Sequence, residues 1–157
     1  MRADVRTSLR TLVGSGDRIG LLTLPFLIIA ILLYVAWPAS FDVGGPPTWL
    51  RVTSLIILVV GVANWLWCAI LILRMVPRGE LITGGPYAVV KHPLYIGMAF
   101  LVLPWLGFLL NTWLGAAVAV VVYIATRMFA PAEEVELART FGEAWDRYAG
   151  NVLLPWL

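Results

Sequence analysis

Apolar residues run along this chain in long blocks separated by short polar ones. Ile19–Phe41, Val52–Leu73 and Pro93–Thr126 contain no Asp, Glu, Lys or Arg. A helix crosses a bilayer core with about 20 apolar residues, so each block is read against that length. The first predicts a helix over 19–37, stopped by Pro38, and the second a helix over 52–73, bounded by Arg51 and Arg74. The third block is too long for one crossing and leaves no room for a long loop between two. Its most polar interruption, Asn111-Thr112, predicts a tight hairpin of helices over 94–110 and 113–129. Pro104 has no amide donor and should kink the first arm.

The polar flanks carry helical periodicity of their own. Val5, Leu9, Leu12 and Val13 share one helical face while Arg2, Arg6 and Arg10 lie off it, the pattern of an interfacial helix. Leu137, Phe141, Trp145 and Tyr148 recur at helical spacing, with Glu136, Arg139, Glu143, Asp146 and Arg147 on other faces. Such a helix lies on the membrane or covers a pocket between helices. The expected fold is therefore an all-α integral membrane protein. It has one domain over residues 1–157, four transmembrane helices, an N-terminal interfacial helix and a C-terminal amphipathic helix. The first apolar run exceeds the roughly 7–15 residues of a signal-peptide core, so it is read as a retained helix.

Composition sharpens this picture. Hydrophobic residues make up 61% of the chain and charged residues 13%, against an apolar share of about 45–50% in ordinary soluble domains. A soluble enzyme, a disordered tail and a nucleic-acid module are excluded on those terms, and the lipid bilayer is the expected partner. The net charge of +2 then speaks for topology: ten of the eleven basic residues fall on one side of the predicted spans, and only Arg51 on the other. Positive-inside bias places both termini and the loop between helices two and three in the cytoplasm. The single cysteine, Cys68, excludes a disulfide framework or a cysteine-built metal site. Asn64 is read as a bond to a neighbouring helix, and no metal is expected.

Nearly all the candidate chemistry lies in two segments on that cytoplasmic side, 78–97 and 127–148. In the first, Gly84-Gly85-Pro86 breaks any helix and turns the chain. His92 precedes Pro93, which suits the first turn of helix three. His92 thus stands at a helix N-terminus in the interface, with Tyr95 and Gly97 just beyond it. In the second, Pro131 followed by Glu133 and Glu134 reads as an ordinary helix start, with carboxylates against the dipole. Taken singly, these residues are as well explained as interface anchors and helix caps.

Their combined spacing is more specific. Leu81-Ile82-Thr83, Gly85-Pro86-Tyr87 and Lys91-His92-Pro93-Leu94-Tyr95-Ile96-Gly97 precede the hairpin. Glu133-Glu134, Leu137, Phe141-Gly142, Trp145 and Tyr148 follow it. This arrangement resembles the isoprenylcysteine carboxyl methyltransferase family and its relatives, the membrane phospholipid methyltransferases. The resemblance covers about the last half of the chain, with Lys91 in place of the commoner arginine. It implies methyl transfer from S-adenosylmethionine, bound on the cytoplasmic side without a Rossmann fold, to a lipophilic acceptor in the membrane.

Position by position, the resemblance puts cofactor contacts on Glu80, Leu81, Ile82, Tyr87, His92, Pro93, Tyr95 and Glu133. Prenylcysteine-methylating members use an arginine four residues before the glutamate pair to grip the substrate carboxylate. Here Phe129 stands at that position and the nearest arginine is Arg127, so both are substrate-side candidates. The runner-up to an enzyme is a non-catalytic membrane subunit that keeps the scaffold. A small transporter is weaker, because no charge sits in mid-membrane to form an ion path.

Overall fold

The computed structural model describes the backbone of residues 5–155 and side chains from residue 16 to residue 155. The expected amphipathic face of Val5, Leu9, Leu12 and Val13 lies outside the described side chains. Among the described residues the chain is helical, and its only strand-like pairing is an isolated bridge between Asp42 and Thr112.

Helix α1 spans Val5–Ala36 as one unbroken backbone helix. It begins well before the predicted residue 19, because hydropathy marks the part that meets lipid and not the helix start. Arg6, Arg10 and Arg18 are good helix formers and give no stop signal. Helix α2 spans Thr48–Met75 and starts directly after Pro46-Pro47, running through Arg51. A short 3₁₀ turn, Val76–Arg78, ends it.

Helix α3 occupies Pro93–Leu109. Its middle, Met98–Val102, is π-helical, and α-helix resumes at Leu103. The kink expected at Pro104 is thus taken up as a π segment immediately before it. Proline leaves the Phe100 carbonyl without the usual i+4 donor, and the indole N–H of Trp105 donates to that carbonyl at 2.9 Å.

The predicted hairpin turn is present. Asn111 adopts φ +58°, and α4 follows as Leu114–Phe141. At the turn the Thr112 hydroxyl and the Trp113 amide both donate to the Phe41 carbonyl, at 2.9 and 3.2 Å. Asn111 Oδ1 accepts from the Gly45 amide at 3.0 Å. These bonds tie the hairpin turn to the loop between α1 and α2, so both lie at one end of the bundle. The two arms approach closely where Gly107 faces Gly115: a Cβ on Gly107 would fall 2.9 Å from the Gly115 Cα.

Two expectations need correction at the far end. A helix ending near 129 was expected, with Pro131 opening a new one. Instead α4 carries Pro131 inside it and continues to Phe141. Glu133 and Glu134 therefore sit in the body of a helix, and a helix dipole does not explain them. The amphipathic stretch is also not one helix. Gly142, at φ +52° and ψ −127°, breaks it, and a separate α5 spans Glu143–Asn151.

In the bundle α1 packs on α4, α4 on α3, and α3 on α2. Helix α4 is central: 39% of its apolar window is buried, against 6% and 11% for those of α1 and α2. The outer faces of α1 and α2 present large apolar side chains such as Leu21, Leu32, Val35 and Leu73, as lipid-facing surfaces do. Among the described residues, three helices are long and apolar enough to cross a membrane: Gly16–Ala36, Thr48–Arg78 and Leu114–Phe141. The predicted fourth, Pro93–Leu109, is shorter, about 25 Å at 1.5 Å per residue.

Candidate functional site

At the bundle end opposite the hairpin turn, the chain between α2 and α3 folds over the helix ends. Gly79, at φ +69°, turns it out of α2. A 3₁₀ turn, Gly85–Ala88, then reverses it toward Pro93. This path brings 80–92 against the last turns of α4, and α5 closes over both. Trp145, Tyr148 and Val152 are buried there among Leu81, Tyr87, Leu137 and Phe141. The Tyr148 hydroxyl donates to the Tyr87 carbonyl at 2.9 Å. Leu153 and Leu154 donate backbone bonds to the Ala88 and Val89 carbonyls at 3.2 and 2.9 Å. The apolar tail is thus docked through its described residues.

Enclosed by these segments is a cavity of about 140 Å³. Seven of the eight residues nominated as cofactor contacts line it: Glu80, Leu81, Ile82, Tyr87, His92, Tyr95 and Glu133. Pro93 does not. It opens α3 as N1 and faces a separate apolar groove with Asn64, Ile96 and Phe100. Neither substrate-side candidate lines the cavity. Arg127 is exposed and Phe129 half-buried, and the unbroken passage of α4 through Pro131 keeps Arg127 on another face.

His92 is the polar centre of the site. It is 8% exposed, and its Nε2 lies 3.1 Å from Glu134 Oε1. The Lys91 ammonium donates to Glu134 Oε2 at 2.8 Å. His92 Nδ1 lies 4.0 Å from Glu133 Oε2, beyond hydrogen-bonding range. The carboxylate of Glu133 is nine-tenths buried, and that of Glu134 less so. Burial pushes the Tyr87 phenol far above its ordinary value. The Tyr148 phenol is raised to about 12, by burial first and then by the Glu134 carboxylate.

Several wall residues were not nominated from sequence. Ile72 and Val76 come from the end of α2, where a uniform apolar run gives no signal for them. Leu137, Phe141, Trp145 and Tyr148 had a signal, their helical spacing, which left open whether they faced lipid or a pocket. They face the pocket. Glu134 was visible only as half of a pair. Asn64 behaves as expected, donating across to the Pro93 carbonyl of α3 at 3.3 Å.

The donor set is mixed in a useful way. Two carboxylates (Glu80 and Glu133), the Lys91 ammonium, an imidazole and three phenols (Tyr87, Tyr95 and Tyr148) stand over Leu81, Ile82, Phe141 and Trp145. Such a site offers anionic groups to a cation and to hydroxyls, and flat apolar surface to a heterocycle.

The family model for phospholipid methyltransferase matches residues 48–144, more than half of the chain. The match runs from the first residue of α2 into the first turn of α5. It takes in the whole of α2, which resembles the family by hydropathy alone, and leaves α1 outside. No curated protein and no solved structure matches the chain significantly.

Proposed function

Since the chain belongs to the phospholipid methyltransferase family, we propose that it is a membrane methyltransferase that uses S-adenosylmethionine and methylates a lipophilic acceptor. The observation that carries this proposal is the cavity itself. Residues 80–95 and Glu133, some 40 positions apart in sequence, converge on one enclosed site at one end of the bundle.

When bound, the cofactor supplies an activated methyl group on a sulfonium. The protein's part is to bind, orient and exclude water. Glu133 accepts hydrogen bonds from amine or hydroxyl donors and places a negative charge in the site. Leu81, Ile82 and the rings of Phe141 and Trp145 give the heterocycle an apolar bed. His92 and the tyrosines fix the polar end. Transfer then requires the nucleophile and the methyl to be held about 3–3.5 Å apart and aligned.

We place the site on the cytoplasmic side of a four-pass bundle. The charge asymmetry supports that orientation, with Arg74, Arg78, Lys91, Arg139 and Arg147 at the site end and Arg51 near the other. The path of Pro93–Leu109 from the site to the hairpin turn supports counting it as a fourth crossing, with its length made up at the interface.

The acceptor follows from what stands before the glutamate pair. With Phe129 in place of a gripping arginine, a bidentate clamp on a substrate carboxylate is lost. Such charge-assisted bonds contribute about 1.5–3 kcal/mol each. The acceptor is therefore a neutral or softly nucleophilic lipophile, and prenylcysteine is a poor substrate. The test is methyl transfer from tritiated S-adenosylmethionine in nanodiscs. Label should enter a membrane lipid extract at least about tenfold faster than N-acetyl farnesylcysteine. Fast, saturable esterification of the farnesylcysteine would overturn the acceptor assignment. Cofactor binding with no transfer to any lipid fraction would favour a non-catalytic subunit.

A further inference from the structure

Glu133 and Glu134 are neighbours, yet a helix turns about 100° between them, so the two carboxylates cannot serve one ligand in the same way. Glu133 lines the cavity and Glu134 does not. Both oxygens of Glu134 are instead engaged by the segment before α3: Oε2 by the Lys91 ammonium at 2.8 Å and Oε1 by His92 Nε2 at 3.1 Å.

An ionised carboxylate only accepts hydrogen bonds. The 3.1 Å contact therefore requires the imidazole proton on Nε2. In the neutral ring, Nδ1 is then a lone pair. That nitrogen lies on the side of Glu133, which faces the cavity, and at 4.0 Å it shares no hydrogen bond with the carboxylate.

We infer that Glu134 is a positioning residue: it fixes His92 in the Nε2–H tautomer and so presents Nδ1 to the cavity as a hydrogen-bond acceptor. The inference rests on the cavity being the cofactor site, and it adds a specificity to that site. An acceptor at Nδ1 suits the ammonium of an amino-acid ligand and disfavours its carboxylate. Lys91 balances the charge of Glu134 within the protein.

His92 is the only histidine in the chain, so its ring nitrogens can be read without assignment. The experiment is long-range proton–nitrogen correlation on ¹⁵N-labelled protein in nanodiscs at about pH 8.5, above the ordinary imidazole range. The wild-type ring should show a protonated Nε2 and an unprotonated Nδ1. Glu134→Ala should shift the signals toward a tautomer mixture and weaken S-adenosylhomocysteine binding about tenfold. Lys91→Met, which keeps the carboxylate beside the ring, should retain the Nε2–H tautomer. A wild-type ring protonated on Nδ1 or on both nitrogens would overturn the inference, as would an unchanged tautomer in Glu134→Ala. If Glu134→Ala does not fold, the wild-type spectrum decides alone. Absence of S-adenosylhomocysteine binding with the Nε2–H tautomer intact would reject the cofactor assignment and leave the positioning role standing.

Discussion

The Tyr148 hydroxyl joins the far end of the chain to the site, through one bond to the Tyr87 carbonyl. Burial raises its phenol to about 12, from an ordinary value of about 10. The fold therefore holds the neutral form. Its contribution is complete below about pH 10 and is lost as the pH rises toward about 12. Tyr148→Phe should cost about 1 kcal/mol at neutral pH, where the carbonyl loses its donor. The variant should also lose less stability than wild type over the alkaline window. Thermal melts at neutral pH and above pH 10 check both; an equal alkaline decline in the two proteins would reject the role of this phenol. At this scale the sequence was informative wherever a residue belonged to a spaced motif, as His92, Tyr87 and Glu133 do. It marked Glu134 only as half of a pair and was silent on its role, since its partners lie 42 and 43 positions away, and it was silent on Ile72 and Val76, hidden in an apolar run.

Helix ends were harder to read than helices. Pro131 and the charges around α1 and α2 looked like boundaries, yet each lies inside a continuous helix. Hydropathy reports where a helix meets lipid, and a helix can continue past that point into water. The break at Gly142 depends on a backbone conformation that only glycine adopts easily. That break lets α5 fold back as a cap. The cavity beneath the cap, about 140 Å³, is smaller than the roughly 300–1,000 Å³ of ordinary small-molecule sites. On the proposed function, a nucleoside ligand displaces the cap on the way in and is held by it afterwards. Hydrogen exchange of the amides of Glu143–Asn151 should slow when S-adenosylhomocysteine is added. Unchanged exchange there, with binding confirmed, would show that the ligand enters and rests elsewhere.

For the whole molecule, membrane character was legible from uncharged blocks alone, and the helical hairpin from two polar residues. The bundle's order was not, because lipid-facing and helix-facing positions are equally apolar and leave no amphipathic stripe to read. Orientation rests on charge. Cys68, the one native cysteine, is buried, so introduced thiols can be read against a quiet background. A cysteine at position 45 should react with an impermeant reagent added outside intact cells, and one at position 85 should not. The reverse pattern would put the site on the outer face and remove it from the cytoplasmic cofactor pool.

The proposal that the cavity holds the cofactor is tested most directly by calorimetry of S-adenosylhomocysteine against the protein in nanodiscs. Binding should fall in the micromolar range, about −8 kcal/mol. Glu133→Ala and His92→Ala, both lining the cavity, should each weaken it at least about tenfold while the thermal transition stays cooperative. No heat of binding in nanodiscs and in several detergents, from protein that melts cooperatively, would mean that the cavity does not hold this cofactor.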